Sequence, residues 1–442
     1  MKTKLAIYVH IPFCLRKCNY CDFLSAPAAE YEMEGYIRAL GQEIKNFARK
    51  NEPLLSGYEV CSVFFGGGTP SLLAAGQLMG ILGILRGCFC IRGDAEITVE
   101  CNPGTLTERK LAEYRRAGVN RLSLGLQSAN ERELRLLGRI HTWEDFLSAY
   151  RLARKTGFDN VNVDIMSALP GQTADSYERT LRQVLTLRPE HISAYSLIIE
   201  EGTPFYELYG GERQDGVTLC GDDGKKGQEG DSSRCRGGGA CSGCGCGQEK
   251  EEVVFPGYGG GAPSGILPAA ERLPDEDTER RMYVCTGELL RKEGYQRYEI
   301  SNYALPGREC RHNICYWERT EYVGFGIGAA SLFQGCRLEN ERDISEYERK
   351  IGQGLGACAG RDTLSERECM EEFMFLGLRM MRGVSREAFF RQFGRDMDVV
   401  YGAVLKKYFE LGFLGEADGR VFLTERGIDV SNAVFCDFLL DP

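Results

Sequence analysis

The sequence predicts an α/β protein: a partial (β/α)6 barrel of parallel strands, followed by a small C-terminal helical domain that resembles a winged helix. Three observations predict this fold. Six short β-rich runs alternate with helical patterns in the first half of the chain, chemically suggestive residues follow several of these runs, and residues 361–442 change to helices with one hairpin. Strands that alternate with helices form βαβ units and a parallel sheet. Six such units make an open barrel rather than a closed barrel of eight strands.

The β-rich runs are short and carry mostly β-branched, aliphatic and aromatic residues, as strands do. They span residues 5–9, 60–65, 96–100, 121–126, 161–166 and 191–199. Helical patterns lie between them: apolar residues recur at helical spacing over 143–153 and stop before Gly157. Asp175 and Glu178 have the spacing of a capping box, and Pro189 ends the helix that they would begin.

We expect the chain to divide into four parts. Residues 1–209 form the barrel, 210–270 a flexible insertion rich in Gly and Cys, 271–360 a region that completes the barrel, and 361–442 the C-terminal domain, in which Asp418-Gly419 predicts a hairpin turn. Within the insertion, three cysteines have a spacing that suggests a metal site, with flexible thiols as the alternative: Cys241, Cys244 and Cys246. The C-terminal domain is interpreted as a packing or lid module.

The length and composition indicate the number of domains and argue against some classes of protein. The 442 residues suggest about two to three domains at ~150 residues each. A net charge of −10 and a pI of about 5.3 argue against broad nucleic-acid binding. The 19 cysteines, without a signal-peptide pattern or a long apolar span, favour a reduced, cytoplasmic protein. Peripheral contact with a membrane stays open.

The cysteine loop carries the strongest chemical signal. Residues 8–23 read YVHIPFCLRKCNYCDF and place Cys14, Cys18 and Cys21 in a C-x3-C-x2-C pattern directly after the first strand. Three thiolates at such short spacings can hold three irons of a [4Fe–4S] cluster and leave the fourth iron open. A closed structural zinc site needs a fourth ligand. A zinc knuckle and scattered core cysteines are the alternatives.

Further candidate residues follow the later strands. Glycines at a strand end let the backbone approach a ligand closely, although a triple glycine also suits a plain turn. A carboxylate in an apolar run is costly unless it is hydrogen-bonded, and a fixed arginine can meet a ligand carboxylate. A solvated acid and a surface salt bridge are the alternatives for the acid at a strand end and for the arginine. The candidates are Gly66, Gly67, Gly68, Thr69, Glu100, Gln127, Arg139 and Asp164.

Residues 4–208 and 273–334 resemble the oxygen-independent coproporphyrinogen III oxidases and their close relatives, the HemW-type haem chaperones, which are radical S-adenosylmethionine (SAM) proteins. The segments that carry the resemblance include HIPFCLRKCNYCDF, FFGGGTPSLL, EITVECNPGT, GVNRLSLGLQS, LGRIHTWED, NVNVDIMSALPGQT and CRHNICYW. The resemblance implies that Cys14, Cys18 and Cys21 ligate the cluster. It also implies that SAM is surrounded by Tyr8, Tyr20, Gly66, Gly67, Gly68, Thr69, Glu100, Gln127, Arg139, Asp164 and Ile198.

Three features favour the chaperone branch. Phe23 stands where the oxidases commonly carry a further cysteine, and Cys14 comes too early for their N-terminal extension. His312, Tyr316 and Trp317 match the HNxxYW motif of the chaperones. Histidine is a natural haem ligand and aromatic rings stack on porphyrins, with Cys310 as a second candidate ligand and a hydrogen-bonded core histidine as the alternative for His312.

The resemblance therefore implies a haem chaperone that holds a [4Fe–4S] cluster, SAM and haem and delivers haem to haem-requiring respiratory proteins. The alternative is an enzyme that oxidatively decarboxylates the propionates of coproporphyrinogen III, so the enzymatic status stays open. RNA modification is disfavoured by the negative charge. Expected partners are haem-accepting respiratory proteins and an electron donor such as flavodoxin or ferredoxin, and a homodimer stays open.

Overall fold

The computed structural model describes residues 2–210 and 271–440. The hypothesis of a metal site at Cys241, Cys244 and Cys246 lies outside the described residues, as does nearly all of the expected insertion. In the described part of the chain, no helix is both long and apolar enough to cross a bilayer.

Six parallel strands form the partial barrel that the alternating pattern predicts. They are β1 (Thr3–Ile11), β2 (Tyr58–Gly67), β3 (Ile91–Cys101), β4 (Arg121–Gln127), β5 (Val161–Ser167) and β6 (His191–Ser196). They lie side by side in chain order, each parallel to the next. Every predicted run lies on one of these strands, although β6 ends before residue 199.

The sheet continues beyond both edges of the barrel. The additional strands are β7 (Gln296–Arg297), β8 (Asn302–Ala304), β9 (Tyr322–Phe325), β10 (Ala330–Phe333), β11 (Cys336–Asn340) and β12 (Cys358–Thr363). Strand β9 is parallel to β1, while β10, β11 and β12 follow it in antiparallel order. On the other side, β8 is antiparallel to β6, and β7 is antiparallel to β8. The part of the chain after the insertion thus completes the sheet from both sides.

Helices cover the outer face of this sheet and build the C-terminal part. In the first half they are α1 (Glu30–Lys50), α2 (Glu52–Leu55), α3 (Ala75–Cys88), α4 (Glu108–Arg116), α5 (Glu131–Leu136), α6 (Trp143–Lys155), α7 (Ala174–Leu187) and α8 (Pro204–Tyr209). After the insertion they are α9 (Glu276–Lys292), α10 (Arg311–Trp317), α11 (Ile344–Gly352), α12 (Glu366–Gly377), α13 (Arg386–Phe393), α14 (Met397–Glu410), α15 (Glu425–Asp429) and α16 (Ser431–Cys436).

The capping box predicted for α7 is at a different place. The helix begins after Thr173, whose hydroxyl accepts from the backbone N–H of Ser176, while the Ser176 hydroxyl reaches back to the N–H of Thr173. The prediction of Asp175 and Glu178 was therefore wrong by two residues, because a threonine hydroxyl caps the first turn as well as a carboxylate does.

The C-terminal part has a core of its own and a small sheet. Strands β13 (Val384–Ser385), β14 (Leu414–Ala417) and β15 (Arg420–Leu423) pair in the order β13-β15-β14. The predicted hairpin joins β14 to β15, and Asp418 and Gly419 both adopt positive φ angles, of 50° and 67°. Two central residues with positive φ are what a two-residue hairpin of matching twist requires.

The two faces of the barrel strands differ in chemistry. In β4, Leu122, Leu124 and Leu126 belong to the large apolar core that the helices cover. Successive side chains of a strand point to opposite faces, so Arg121 and Ser123 lie on the inner face of the sheet. The inner face is therefore polar, and it is the face on which the candidate site lies.

Candidate functional site

Backbone hydrogen bonds within the loop after β1 shape the segment that carries the three cysteines. The N–H of Cys14 donates to the carbonyl of Ala26 (3.1 Å), and the N–H of Cys21 donates to the carbonyl of Cys18 (3.3 Å). The Cys14 thiol also lies 3.5 Å from the hydroxyl oxygen of Thr69. The loop that follows β1 thus lies directly against the glycine loop that follows β2.

The three thiols influence one another electrostatically. Burial raises the pKa of Cys21 to about 11, and the neighbouring Cys18 and Cys14 thiols add to the rise. The Arg139 guanidinium donates to the Cys18 sulfur at 3.7 Å. In the described part of the chain, no three His, Cys, Asp or Glu side chains converge closely enough to hold a metal ion. The three thiols are neighbours, and a cation between them would stabilise their thiolate forms.

The glycine loop requires residues without side chains. A Cβ at Gly66 would lie 3.0 Å from the Tyr8 ring and 3.1 Å from a Glu100 oxygen, and a Cβ at Gly68 would lie 2.7 Å from the carbonyl oxygen of Phe13. The N–H of Gly67 donates to the Glu100 carboxylate at 3.1 Å. The structure therefore brings together Tyr8, the Gly66–Thr69 loop and Glu100, as the resemblance implies.

Arg139, Gln127 and Asp164 lie on the neighbouring strands and loops. Arg139 donates to the carbonyl of Gly125 at 2.7 Å, and Gln127 accepts from the Tyr195 hydroxyl at 3.0 Å. Gln127 has a φ of 73°, which is uncommon for a residue other than glycine and marks a backbone held in place by its surroundings. The Asp164 carboxylate accepts from Asn162 at 2.7 Å.

Burial decides the protonation of the two acids. Burial raises the pKa of Glu100 to about 8, and the charge of Asp164 adds to this rise. Burial also raises the pKa of Asp164. Burial raises the pKa of Tyr20 as well, and the charges of Cys18, Arg139 and Asp164 all act on this tyrosine of the cysteine loop.

Ile198 differs from the other predicted SAM residues. It follows the end of β6 and is 56% exposed. It therefore lies at the open end of the barrel.

The HNxxYW residues lie on α10, which packs against the inner face of β2. His312 is 1% exposed, and its two ring nitrogens lie 3.0 Å from the hydroxyl of Ser62 and 3.0 Å from that of Tyr316. Burial lowers the pKa of His312 to about 3. A haem iron would have to displace one of these hydrogen bonds, so the geometry matches the alternative of a hydrogen-bonded core histidine.

Cys310 and Trp317, the haem candidates besides His312 and Tyr316, are also engaged. Cys310 is fully buried, and its thiol donates to a Glu96 oxygen at 3.5 Å. Trp317 is covered by the Arg379 guanidinium, 4.4 Å from the ring centroid. In this arrangement α10 acts as a packed inner element of the barrel, with the His312 ring stacked 5.0 Å from that of Phe64.

Several polar residues of the inner face were not predicted from the sequence. Glu96 accepts from the backbone N–H groups of Arg311 and His312, at 3.1 and 3.2 Å, and so caps the first turn of α10. His191 lies 2.6 Å from Asn162 and 2.8 Å from the Tyr298 hydroxyl. The available signal was the alternation of polar and apolar residues along β3, β4, β5 and β6. Parallel strands covered on both faces are usually apolar throughout, so such alternation indicates a polar interior.

The chain matches two family models. The model of the radical SAM superfamily matches residues 8–184, and that of the HemN C-terminal domain matches residues 364–430. The first contains the cysteine loop, the glycine loop and the inner faces of β1 to β5. The second contains most of the C-terminal part.

Curated relatives match over nearly the whole chain. "Heme chaperone HemW" of Bacillus subtilis is 32% identical, with 98% of this chain and 98% of that protein covered. "Heme chaperone HemW" of Escherichia coli is 31% identical, with 99% and 98% covered. Among solved structures, coproporphyrinogen III oxidase (HemN) of Escherichia coli, described as a radical SAM enzyme, has a TM-score of 0.75 at 22% identity and covers 99% of this chain and 90% of its own. That likeness concerns the fold.

Proposed function

The chain belongs to the HemW-type haem chaperone family within the radical SAM superfamily, and from this premise we propose that it binds a [4Fe–4S] cluster, SAM and haem and delivers the haem to haem-requiring respiratory proteins. The observation that carries the proposal is the meeting of the two loops. The Cys14 thiol lies 3.5 Å from Thr69 of the glycine loop, so ligands of a cluster and a cradle for SAM occupy adjacent positions.

The thiols of Cys14, Cys18 and Cys21 would hold the cluster. When bound, the cluster supplies an open iron for the amino and carboxylate groups of SAM. Arg139 lies beside the Cys18 sulfur and offers a fixed cation to that carboxylate. Because Gly66, Gly67 and Gly68 carry no side chains, the amino group could approach the backbone of the glycine loop closely.

The acids of the inner face would orient the rest of SAM. Glu100 is fixed by the N–H of Gly67 and presents its remaining oxygen to ribose hydroxyls. Asp164 is fixed by Asn162 and by the Ser123 hydroxyl, 2.7 and 3.3 Å away. Carboxyls held in this way keep their positions when a ligand arrives, which lowers the entropic cost of binding.

Both the curated relatives and particular residues of the chain favour a haem chaperone over a coproporphyrinogen III oxidase. Curated proteins called haem chaperones match the chain from end to end at 31–32% identity, whereas the oxidase structure supports the fold alone. Phe23 replaces the further cysteine that the oxidases commonly carry, and the HNxxYW motif is present. The expected location is the cytoplasm, with flavodoxin or ferredoxin as electron donor.

Anaerobic reconstitution followed by haem titration tests the proposal. We expect cluster absorbance in the wild-type protein and its loss in C14A, C18A and C21A, while C88A in α3 serves as a matched control outside the site. We also expect a saturable Soret change at about one haem per chain. Cluster retained at full occupancy in the three variants would refute the cluster assignment, and absence of saturable haem binding would refute the chaperone.

A further inference from the structure

Arg121 is a buried cation whose hydrogen-bonding capacity is unmet. Its side chain is among the largest that are fully buried, with 2% exposure. Its Nε is buried without a hydrogen-bond partner. Among the residues that the structure describes, no hydrogen bond and no ion pair within 4.0 Å involves this guanidinium. A guanidinium carries five N–H donors, and buried donors are normally paired.

The strand register places Arg121 beside a second orphan group. Arg121 of β4 pairs with Thr98 of β3, and both side chains lie on the inner face of the barrel. The Thr98 hydroxyl is also fully buried and also lacks a hydrogen-bond partner. Two neighbouring unmet groups, one of them cationic, form a site for a ligand with oxygen acceptors.

The nearby acids do not fill this role. The charges of Cys310, Glu96 and Asp164 act on Arg121 through space and raise its pKa, against the lowering effect of burial. The Glu96 oxygens, however, already accept from α10, and the Asp164 oxygens accept from Asn162 and Ser123. The cation is therefore partly balanced in charge, while its N–H groups still have no acceptor.

The charge of Arg121 acts on both parts of the candidate site. Its charge lowers the pKa of His312 on α10 and of His191 on β6, and it also lowers that of Glu100 in the SAM cradle. The guanidinium thus lies within electrostatic reach of both the HNxxYW helix and the cradle. An anion bound there would be close to both.

We propose that Arg121, assisted by Thr98, binds a carboxylate of the ligand that occupies the barrel, and, resting on the proposed function, that this carboxylate is a propionate of haem. A planar guanidinium binds a carboxylate through two parallel hydrogen bonds, and a threonine hydroxyl beside it can donate a third. The site selects ligands by their carboxylates, independently of any axial ligand to iron.

Haem and its dimethyl ester test this site, because the ester keeps the porphyrin and the iron and removes the anionic oxygens. We expect the wild-type protein to bind haem about tenfold or more tightly than the ester, as expected for a charge-assisted pair. R121M should lower the affinity for haem to that for the ester and leave ester binding unchanged. T98V should reduce the preference for haem by a smaller factor.

Thermal unfolding provides a second measurement. We expect haem to raise the unfolding temperature of the wild type more than that of R121M, because only the wild type keeps the guanidinium that binds the carboxylate. If R121M does not fold, the comparison of haem and ester on the wild-type protein decides alone. Equal affinity for haem and ester, or an R121M variant that keeps the wild-type preference, would overturn the proposal.

The proposed function and this inference can fail separately. If the wild-type protein binds neither haem nor its ester, the chaperone proposal fails. Arg121 is then tested with glutarate, a small dicarboxylate, through the shift of the unfolding temperature. A glutarate-dependent rise that R121M abolishes supports the carboxylate site, and no rise in the wild type overturns it.

Discussion

Replacing Glu96 by Ala should loosen the helix that carries the HNxxYW residues. Glu96 lies on β3 with 5% exposure, and its two oxygens accept from the N–H groups of Arg311 and His312. Alpha-helix α10 has no side-chain cap of its own at Cys310. The carboxylate therefore replaces the missing cap, and its charge also favours the N-terminus of a helix.

The expected loss of stability follows from the two N–H groups that would lose their acceptor. Each buried donor left without an acceptor costs about 1–3 kcal/mol, so the two donors that E96A would leave should lower the free energy of unfolding by about 2–6 kcal/mol. E96Q keeps one oxygen and turns an amide N–H₂ toward the other donor, so it should cost about half as much. Glu59 on β2 provides the control, since its half-exposed ion pair with Arg92 is worth under about 1 kcal/mol.

Tryptophan fluorescence is the assay, because the two tryptophans report on different places. Trp317 ends α10 and Trp143 begins α6. In a W143F background, urea unfolding followed at Trp317 should show the largest shift of the midpoint for E96A, a smaller one for E96Q and almost none for E59A. A midpoint for E96A within the range of E59A would refute the capping role of Glu96.

Three further predictions concern protonation and packing. Burial raises the pKa of Glu43 to about 7 from its ordinary value of 4.5, so its contribution to stability is fully present below pH 4.5 and is lost as the pH rises through about 7. The loss is about 3 kcal/mol; unfolding free energies measured from pH 4 to 8 should show this slope, and E43Q should flatten it. The Cys61 thiol, 3.7 Å from that of Cys315, has its pKa lowered by the hydrogen bond from Cys315. Peptide mapping should find that Cys61 is alkylated at lower pH than a free thiol, and C315A, which removes the donor, should raise the midpoint of this alkylation; an unchanged midpoint would contradict the pairing. G68A should weaken SAM binding about tenfold or more in calorimetry, because its Cβ would lie 2.7 Å from a backbone oxygen. G80A in α3 meets nothing within 4 Å and should bind SAM normally while gaining about 0.5–1 kcal/mol of stability; equal affinities would refute the role of the glycine loop.

The barrel strands were predictable because their signals are local. Each lies in one continuous β-rich run, and the helices between them show their own periodicity. The outer strands were not predictable in the same way. Strands β7 and β8 have two and three residues; β8 pairs with β6, whose sequence lies far away in the chain, and β7 pairs with β8. Long-range pairing of short segments leaves little trace in a sequence.

The candidate site was predictable where spacing or a strand end fixes geometry. The cysteines and the glycine loop satisfy that condition, and the structure places them side by side. The orientation of α10 was not predictable, because the pattern of a helix of seven residues does not tell which face meets the barrel. The sequence therefore left His312 open between a haem ligand and a core residue, and the structure adds its hydrogen-bond partners, Ser62 and Tyr316.

The position of α10 connects the barrel interior with the C-terminal part. Glu96 holds the first turn of α10. After the last turn, Arg319 forms an ion pair of 2.8 Å with Glu372 of α12, and both side chains are almost buried. Trp317 lies against Arg379, which follows the end of α12. A movement of the C-terminal part would therefore reach α10, and through it the hydrogen bonds of His312. Release of those hydrogen bonds is the step that would make His312 available to an iron, so access to this histidine depends on the contacts of α12 as well as on the barrel.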